Sequence, residues 1–167
     1  MGNPSEEIVL VVDRDNNPVG SATRGEMRRQ GLPHRSTYIA VFNSEGMIWV
    51  QRRTLTKDVY PGYLDPVSGG VVLAGETYEQ SAERELFEEM GISGVPLEPQ
   101  FDFWFEDGSS RVWGRAFRCT WDGPVRPQPE EVAEAILMTP GEVLAAADQC
   151  TPDGMLVIRK LLGAGGV

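Results

Sequence analysis

The chain has 167 residues, 41% apolar and 24% charged, the composition of a folded globular protein rather than a disordered or fibrous one. Its formal net charge of −10 argues against non-specific binding to nucleic-acid polymers or anionic membranes. Cys119 and Cys150 make neither a disulfide framework nor a metal-type spacing, and no apolar run approaches the ~20 residues that cross a bilayer. The opening MGNPSEE shows no secretory signal, so a reducing cytoplasm is the expected compartment.

In chain order, EIVLVV (7–12) reads as a strand, DRDNNP as a turn and VGSAT as the returning strand of a hairpin. Thr23 with Glu26 has the form of a capping box opening a short helix through about Gln30, which Gly31 can end, so a hairpin and helix fill about 7–31. STYIAVF and MIWVQRR, either side of NSEG, predict a second hairpin. TLTKDVYPGYLDPVSGG is a long polar connection of the kind that carries function in a compact domain.

Residues 70–92, GVVLAGETYEQSAERELFEEMGI, read as a glycine-rich loop, a helix and a glycine stop. Thr77 and Gln80 form a capping box, and Gly91 supplies the left-handed C-terminal residue. Between them Glu85, Glu88 and Glu89 stand at i, i+3 and i+4, on one face of a helix. Three carboxylates in one arc repel each other unless a cation sits among them, and hard oxygen donors suit Mg²⁺ or Mn²⁺. Glu79 and Glu83 read instead as solvated.

After the helix, VPLEPQFDFWFED and SSRVWGRAFRCTWDG predict a strand pair turning at Asp107-Gly108, with Phe101, Phe103 and Phe105 on one side. AEAILMT reads as a strand, and C-terminal helices occupy about 140–163: one from Pro140 to Asp148, and one over GMLVIRKLL that Asp153 would cap. The tail GAGGV is expected to fray. Strands with helices at intervals and no linker indicate one domain over 1–167, of the α/β (α+β) class, a mixed sheet between helices.

Gly70, Glu76 and the run Arg84-Glu85-Leu86-Phe87-Glu88-Glu89-Met90-Gly91-Ile92 fill every fixed and both aliphatic positions of the Nudix box, so the chain resembles the Nudix hydrolases. The resemblance implies the Nudix fold and Mg²⁺-dependent cleavage of a diphosphate linkage in a nucleoside diphosphate derivative. It makes Glu85, Glu88 and Glu89 metal ligands with the Gly70 carbonyl. It makes Arg84 an orienting residue and Glu76 an accessory carboxylate. A second resemblance, spanning Val11 to Thr139, is to the Nudix branch near isopentenyl-diphosphate isomerase. There a basic pair and a lysine bind the diphosphate, at positions matching Arg52, Arg53 and Lys57 here.

That isomerase needs a cysteine where this chain has Gly69, and histidines where it has Val71 and Met27; only His34 has a histidine counterpart. Isomerase activity is therefore a poor fit, and His34 reads as a structural or substrate-lining residue. A non-catalytic nucleotide-sensing Nudix domain is the alternative of a different class. Glu106, Glu130 and Glu131 are candidates for a distal catalytic carboxylate. Trp49, Tyr60, Tyr63, Phe103, Trp104, Phe105 and Trp113 are candidates for stacking a base or an apolar tail. The implied partner is a small-molecule diphosphate, with a homodimer open as an assembly.

Overall fold

The computed structural model describes residues 3–163. The first hairpin forms as expected: β1 (Ile8–Val12) pairs antiparallel with β2 (Pro18–Thr23), and Asp13 closes the turn by accepting from the N–H groups of Asp15 and Asn17. α1 (Arg24–Gln30) carries the reciprocal Thr23–Glu26 capping box and ends at Gly31, φ 61°.

β3 (His34–Phe42) and β4 (Ile48–Arg53) flank the expected NSEG turn, but they pair only at Phe42–Ile48. The hairpin is splayed open, and the glycine-rich strip enters the gap. Ile39 exchanges backbone hydrogen bonds with Ser68 (2.7 and 2.9 Å), Thr37 N–H donates to Gly70 O (2.9 Å), and Val72 N–H donates to Arg35 O (2.9 Å). A short β5 (Leu64–Asp65) against β4 aims the strip into that gap. The strip thus uses backbone groups that a closed hairpin would have paired internally, so the polar connection is partly sheet rather than loop.

β6 (Glu98–Glu106) and β7 (Arg111–Thr120) form the predicted antiparallel pair, and β7 runs parallel to β3 over its whole length, from His34–Val112 to Phe42–Thr120. β8 (Val132–Met138) completes the mixed sheet beside β4. β3 is central and covered on both faces, which is why eight of its nine residues are buried. Tyr38, Ala40 and Phe42 pack towards the C-terminal helices with Val143, Met155 and Ile158. Ile39 and Val41 pack the other way, against Ala82, Leu86 and Met90 of α2 (Tyr78–Met90). The mixed sheet between helices is the fold class expected from the sequence.

At the C-terminal end, α3 (Pro140–Ala145) is shorter than expected, giving way to a single 3₁₀ turn at Ala147–Gln149. α4 (Pro152–Leu162) starts ahead of the expected position. Pro152 takes the first helical position, where its missing N–H is no loss, so Asp153 falls inside the first turn instead of capping it. Its carboxylate accepts from the Tyr38 hydroxyl (2.9 Å). Of the tail, residues 164–167 lie outside the described residues.

Candidate active site

α2 is held by the predicted Thr77–Gln80 capping box and by Gly91, φ 70°. Burial of Ala82, Leu86 and Met90 fixes the roll of the helix, and that roll separates the three glutamates. Glu85 and Glu89 flank the buried stripe and point under the sheet; Glu88, about 160° round from Leu86, points outward. The Glu88 side chain is 48% exposed and that of Glu85 15%, while Glu89 as a residue is only 4% exposed. The expected arc of three equivalent carboxylates is therefore one buried acid, one largely buried acid and one surface acid. Among the described residues no three His, Cys, Asp or Glu side chains converge as a finished metal cage.

Arg84 organises this group. It donates to Glu85 Oε1 (2.5 Å) and Glu88 Oε1 (3.1 Å) from Nη1, and to both oxygens of Glu76 from Nε and Nη2 (2.6 and 2.9 Å). Glu76 also accepts from the Leu73 N–H (2.9 Å). Both Glu76 oxygens are thus engaged, which makes it the anchor of Arg84 in this structure. Glu89 accepts at Oε1 from Gln51 Nε2 and from the Gly69 N–H, each at 3.0 Å.

Burial drives the Glu85 carboxyl above its ordinary range, with Arg84 opposing and Glu88 and Glu131 adding to it. Glu89 is raised further by burial and then by the charge of Glu85, with Lys57 and Gln51 opposing. Two largely buried, mutually repelling carboxylates with hard oxygen donors fit a divalent cation, whose charge would oppose both shifts by favouring the ionised forms. Rotation of Glu88 away from Arg84 would add a third donor.

The Gly70 carbonyl, expected at the metal, accepts from Thr37 N–H and, at 3.4 Å, from Thr37 Oγ1. Gly70 also leaves room for the Glu85 carboxylate: a Cβ there would lie 2.2 Å from Glu85 Oε2 and displace it. At Gly69, φ is 138° and a Cβ would meet Thr37 O at 2.1 Å, so the position that would carry an isomerase cysteine admits no side chain in this backbone.

The three basic residues do not act together. Neighbours on a strand face opposite ways. Arg52 turns outward, 42% exposed beside Glu134 and bonded to Gly62 O, and does not line the cavity. Arg53 points inward but is committed to Asp65 Oδ2 (3.2 Å) and Val59 O. Lys57 reaches the acids and pairs with Glu131. Glu85, Glu88, Glu89, Arg53 and Lys57 line one cavity of about 830 Å³.

Of the distal acids, Glu130 and Glu131 line this cavity, whereas Glu106 pairs with Arg14 and Arg111 outside it. None of the seven aromatic candidates lines it either. Phe103, with Phe101 and Phe105 beside it, packs in the core, Trp49 packs behind α2, and Trp104 and Trp113 stack edge to face near Arg14. Residues that the sequence reading passed over do line it: Arg24 and Arg28 of α1, Asp58, Asp65 and Asp153. The available signal was the i, i+4 spacing of Arg24 and Arg28 around Met27. His34 also lines the cavity; burial and then Arg28 lower its pKa to about 4, so the ring stays neutral.

Residues 32–156 match the NUDIX domain family. This chain belongs to the Nudix family. It is 48% identical over 162 residues to an uncharacterized Nudix hydrolase of Yersinia pestis, covering 96% of this chain and 89% of that protein. It is 48% identical over 151 residues to the uncharacterized Nudix hydrolase YfcD of Escherichia coli K12, covering 90% and 84%. The crystal structure of DR0079 from Deinococcus radiodurans superposes with a TM-score of 0.81 at 25% identity, covering 92% of this chain and 98% of that one. The chain is a Nudix hydrolase, and Nudix hydrolases act on small molecules with divalent cations. Among the described residues no helix is long and apolar enough to cross a membrane.

Proposed function

We propose that this single Nudix domain hydrolyses a phosphoanhydride bond in a small-molecule diphosphate, with nucleoside diphosphate derivatives as the first class to assay. The observation that carries the reading is the pair of carboxylates, buried Glu89 and largely buried Glu85, opening on a cavity that Lys57 also lines. Glu85 and Glu89, with Glu88 once turned from Arg84, would hold Mg²⁺ or Mn²⁺. That cation would supply neutralisation of the phosphate oxygens and a bound water of lowered pKa.

The chain's own residues do the positioning. Arg84, anchored by Glu76, fixes the Glu85 carboxylate; Gln51 and the Gly69 N–H fix Glu89. Lys57 is the cation that reaches the phosphates, and in doing so it releases Glu131, whose charge already reaches Glu85. Glu131 is then the free carboxylate best situated to accept a proton from the attacking water. Resemblance to the isopentenyl-diphosphate isomerase branch is read as shared scaffold without shared chemistry, since Gly69 leaves no room for the cysteine. Two free, buried cysteines agree with a cytoplasmic setting.

A panel of nucleoside diphosphates, triphosphates and their conjugates, assayed with Mg²⁺ or Mn²⁺, tests the reading. Turnover of at least one compound, abolished by chelator and by Glu85→Gln, is expected. Tight binding of a panel member with no turnover under either metal would move the assignment to the sensing class.

A further inference from the structure

The same cavity holds a second cationic group that the metal-centred chemistry does not use. Met27 is buried against Val9 and Val71, which seats α1 beside the glycine strip. Arg24 and Arg28 lie three residues before and one after Met27, on the same helix face, so both enter the cavity. Their side chains are only 21% and 17% exposed. Each directs its Nε to one oxygen, Asp58 Oδ2, at 3.2 and 3.0 Å. Arg24 Nη1 goes to Glu7 Oε1 and Arg28 Nη1 to Ser110 Oγ. Neither Nη2 has a hydrogen-bond partner among the described residues, and neither is among the buried atoms left unpaired, so both keep contact with solvent.

Two guanidinium groups converging on one carboxylate oxygen form a site for a tetrahedral oxyanion, with Asp58 occupying part of it. Asp58 is the residue after Lys57, on loop 54–63. Lys57 holds Glu131 while Asp58 holds the arginines, so one loop spans both cationic parts of the cavity. Burial pushes the Asp58 carboxyl up, but Arg24 and Arg28 together hold it well below the usual range, so it is a strong internal competitor for any incoming anion.

We propose that Arg24 and Arg28 form a second anion subsite that binds a phosphate group carried by the substrate, apart from the phosphates engaged by Lys57 and the metal, with Asp58 as its built-in competitor. This rests on the hydrolase reading for its substrate. The subsite itself is tested without metal or turnover.

The probe is inorganic phosphate, titrated into the full chain in chelator and followed by calorimetry and phosphorus NMR. Without metal, the cationic lining of the cavity is Arg24, Arg28 and Lys57, with Arg53 committed to Asp65. Saturable binding in the millimolar range is expected, weakened at least fivefold by Arg28→Gln and unchanged by Arg52→Gln. Asp58→Asn keeps both guanidinia and removes the competitor, so it should tighten binding at least threefold; a merely structural salt bridge would not give a gain. Thermal unfolding of each variant confirms that it is folded. Absent phosphate binding, equal binding by Arg28→Gln, or weaker binding by folded Asp58→Asn would overturn the proposal. Acetate binding as tight as phosphate, with the same loss in Arg28→Gln, would assign the pair to carboxylates and overturn it too. A chain that binds phosphate this way yet hydrolyses nothing in the panel would keep the subsite and lose the hydrolase reading.

Discussion

Glu89→Gln is predicted to cost activity and add stability, and the two effects have one cause. Glutamine keeps the volume of the side chain, and its Oε1 can still accept from Gln51 Nε2 and the Gly69 N–H, both at 3.0 Å in the parent. What disappears is a charge that burial and Glu85 make unfavourable. A carboxyl whose folded-state pKa is raised contributes full stability below its ordinary value of 4.5 and loses it as pH rises through the folded value. The metal-free wild type should therefore weaken between about pH 5 and 8, and the variant should not follow it.

Each pKa unit is worth ~1.4 kcal/mol, so allowing generously for relaxation and for Lys57, the variant should gain about 2 kcal/mol at pH 8 in chelator. At ~2.1 cal/mol/K per residue of unfolding entropy, that is a rise in Tm of about 6 °C for a chain of this length. Added Mg²⁺ should stabilise the wild type more than the variant and narrow the gap. Turnover should fall at least ~10²-fold, because an electrostatic group at the reacting centre is gone. Scanning calorimetry across pH, with and without Mg²⁺, measures the first effect and a hydrolysis assay the second. A variant that melts below wild type at pH 8 in chelator, or turns over at the wild-type rate, would refute the reasoning.

Arg53→Ala leaves Asp65 buried without its cation and should cost about 3 kcal/mol by urea unfolding, whereas Arg52→Ala, at an exposed pair, should stay within ~0.5 kcal/mol. Lys57→Ala should raise KM about 10-fold through loss of a charge-assisted phosphate contact, and an unchanged KM would remove Lys57 from the site. Gly69→Ala, with φ at 138° and Thr37 O in the way, should destabilise by about 2–3 kcal/mol; a variant as stable as wild type would mean the strip shifts freely.

The sequence by itself determined the elements whose causes are local. Thr23 with Glu26, Thr77 with Gln80, and Gly31 and Gly91 state where two helices begin and end, and the structure keeps all of them. The spacing from Gly70 to Ile92 likewise identified the family, because it records one helix and its entry loop. Sequence distance gave no access to pairings between remote segments. The splayed β3–β4 hairpin depends on Ser68–Val72 competing for the edge of β3, and on β7 taking the other edge in parallel.

The same limit applied to the site. A glutamate pattern shows which residues share a helix face but not how that face is rolled, and the roll, set by Leu86 and Met90, buried Glu89, turned Glu85 largely inward and left Glu88 outside. The basic residues Arg52, Arg53 and Lys57 are close in sequence, yet strand alternation turns Arg52 out of the cavity, Asp65 holds Arg53, and Lys57 pairs with Glu131. Arg24 and Arg28, distant in the chain, were brought to the cavity by a buried methionine. Local hydrogen-bonding and spacing rules marked the candidate reaction centre in the sequence; the direction each side chain faces was decided by packing between segments, and only the tertiary structure contains that.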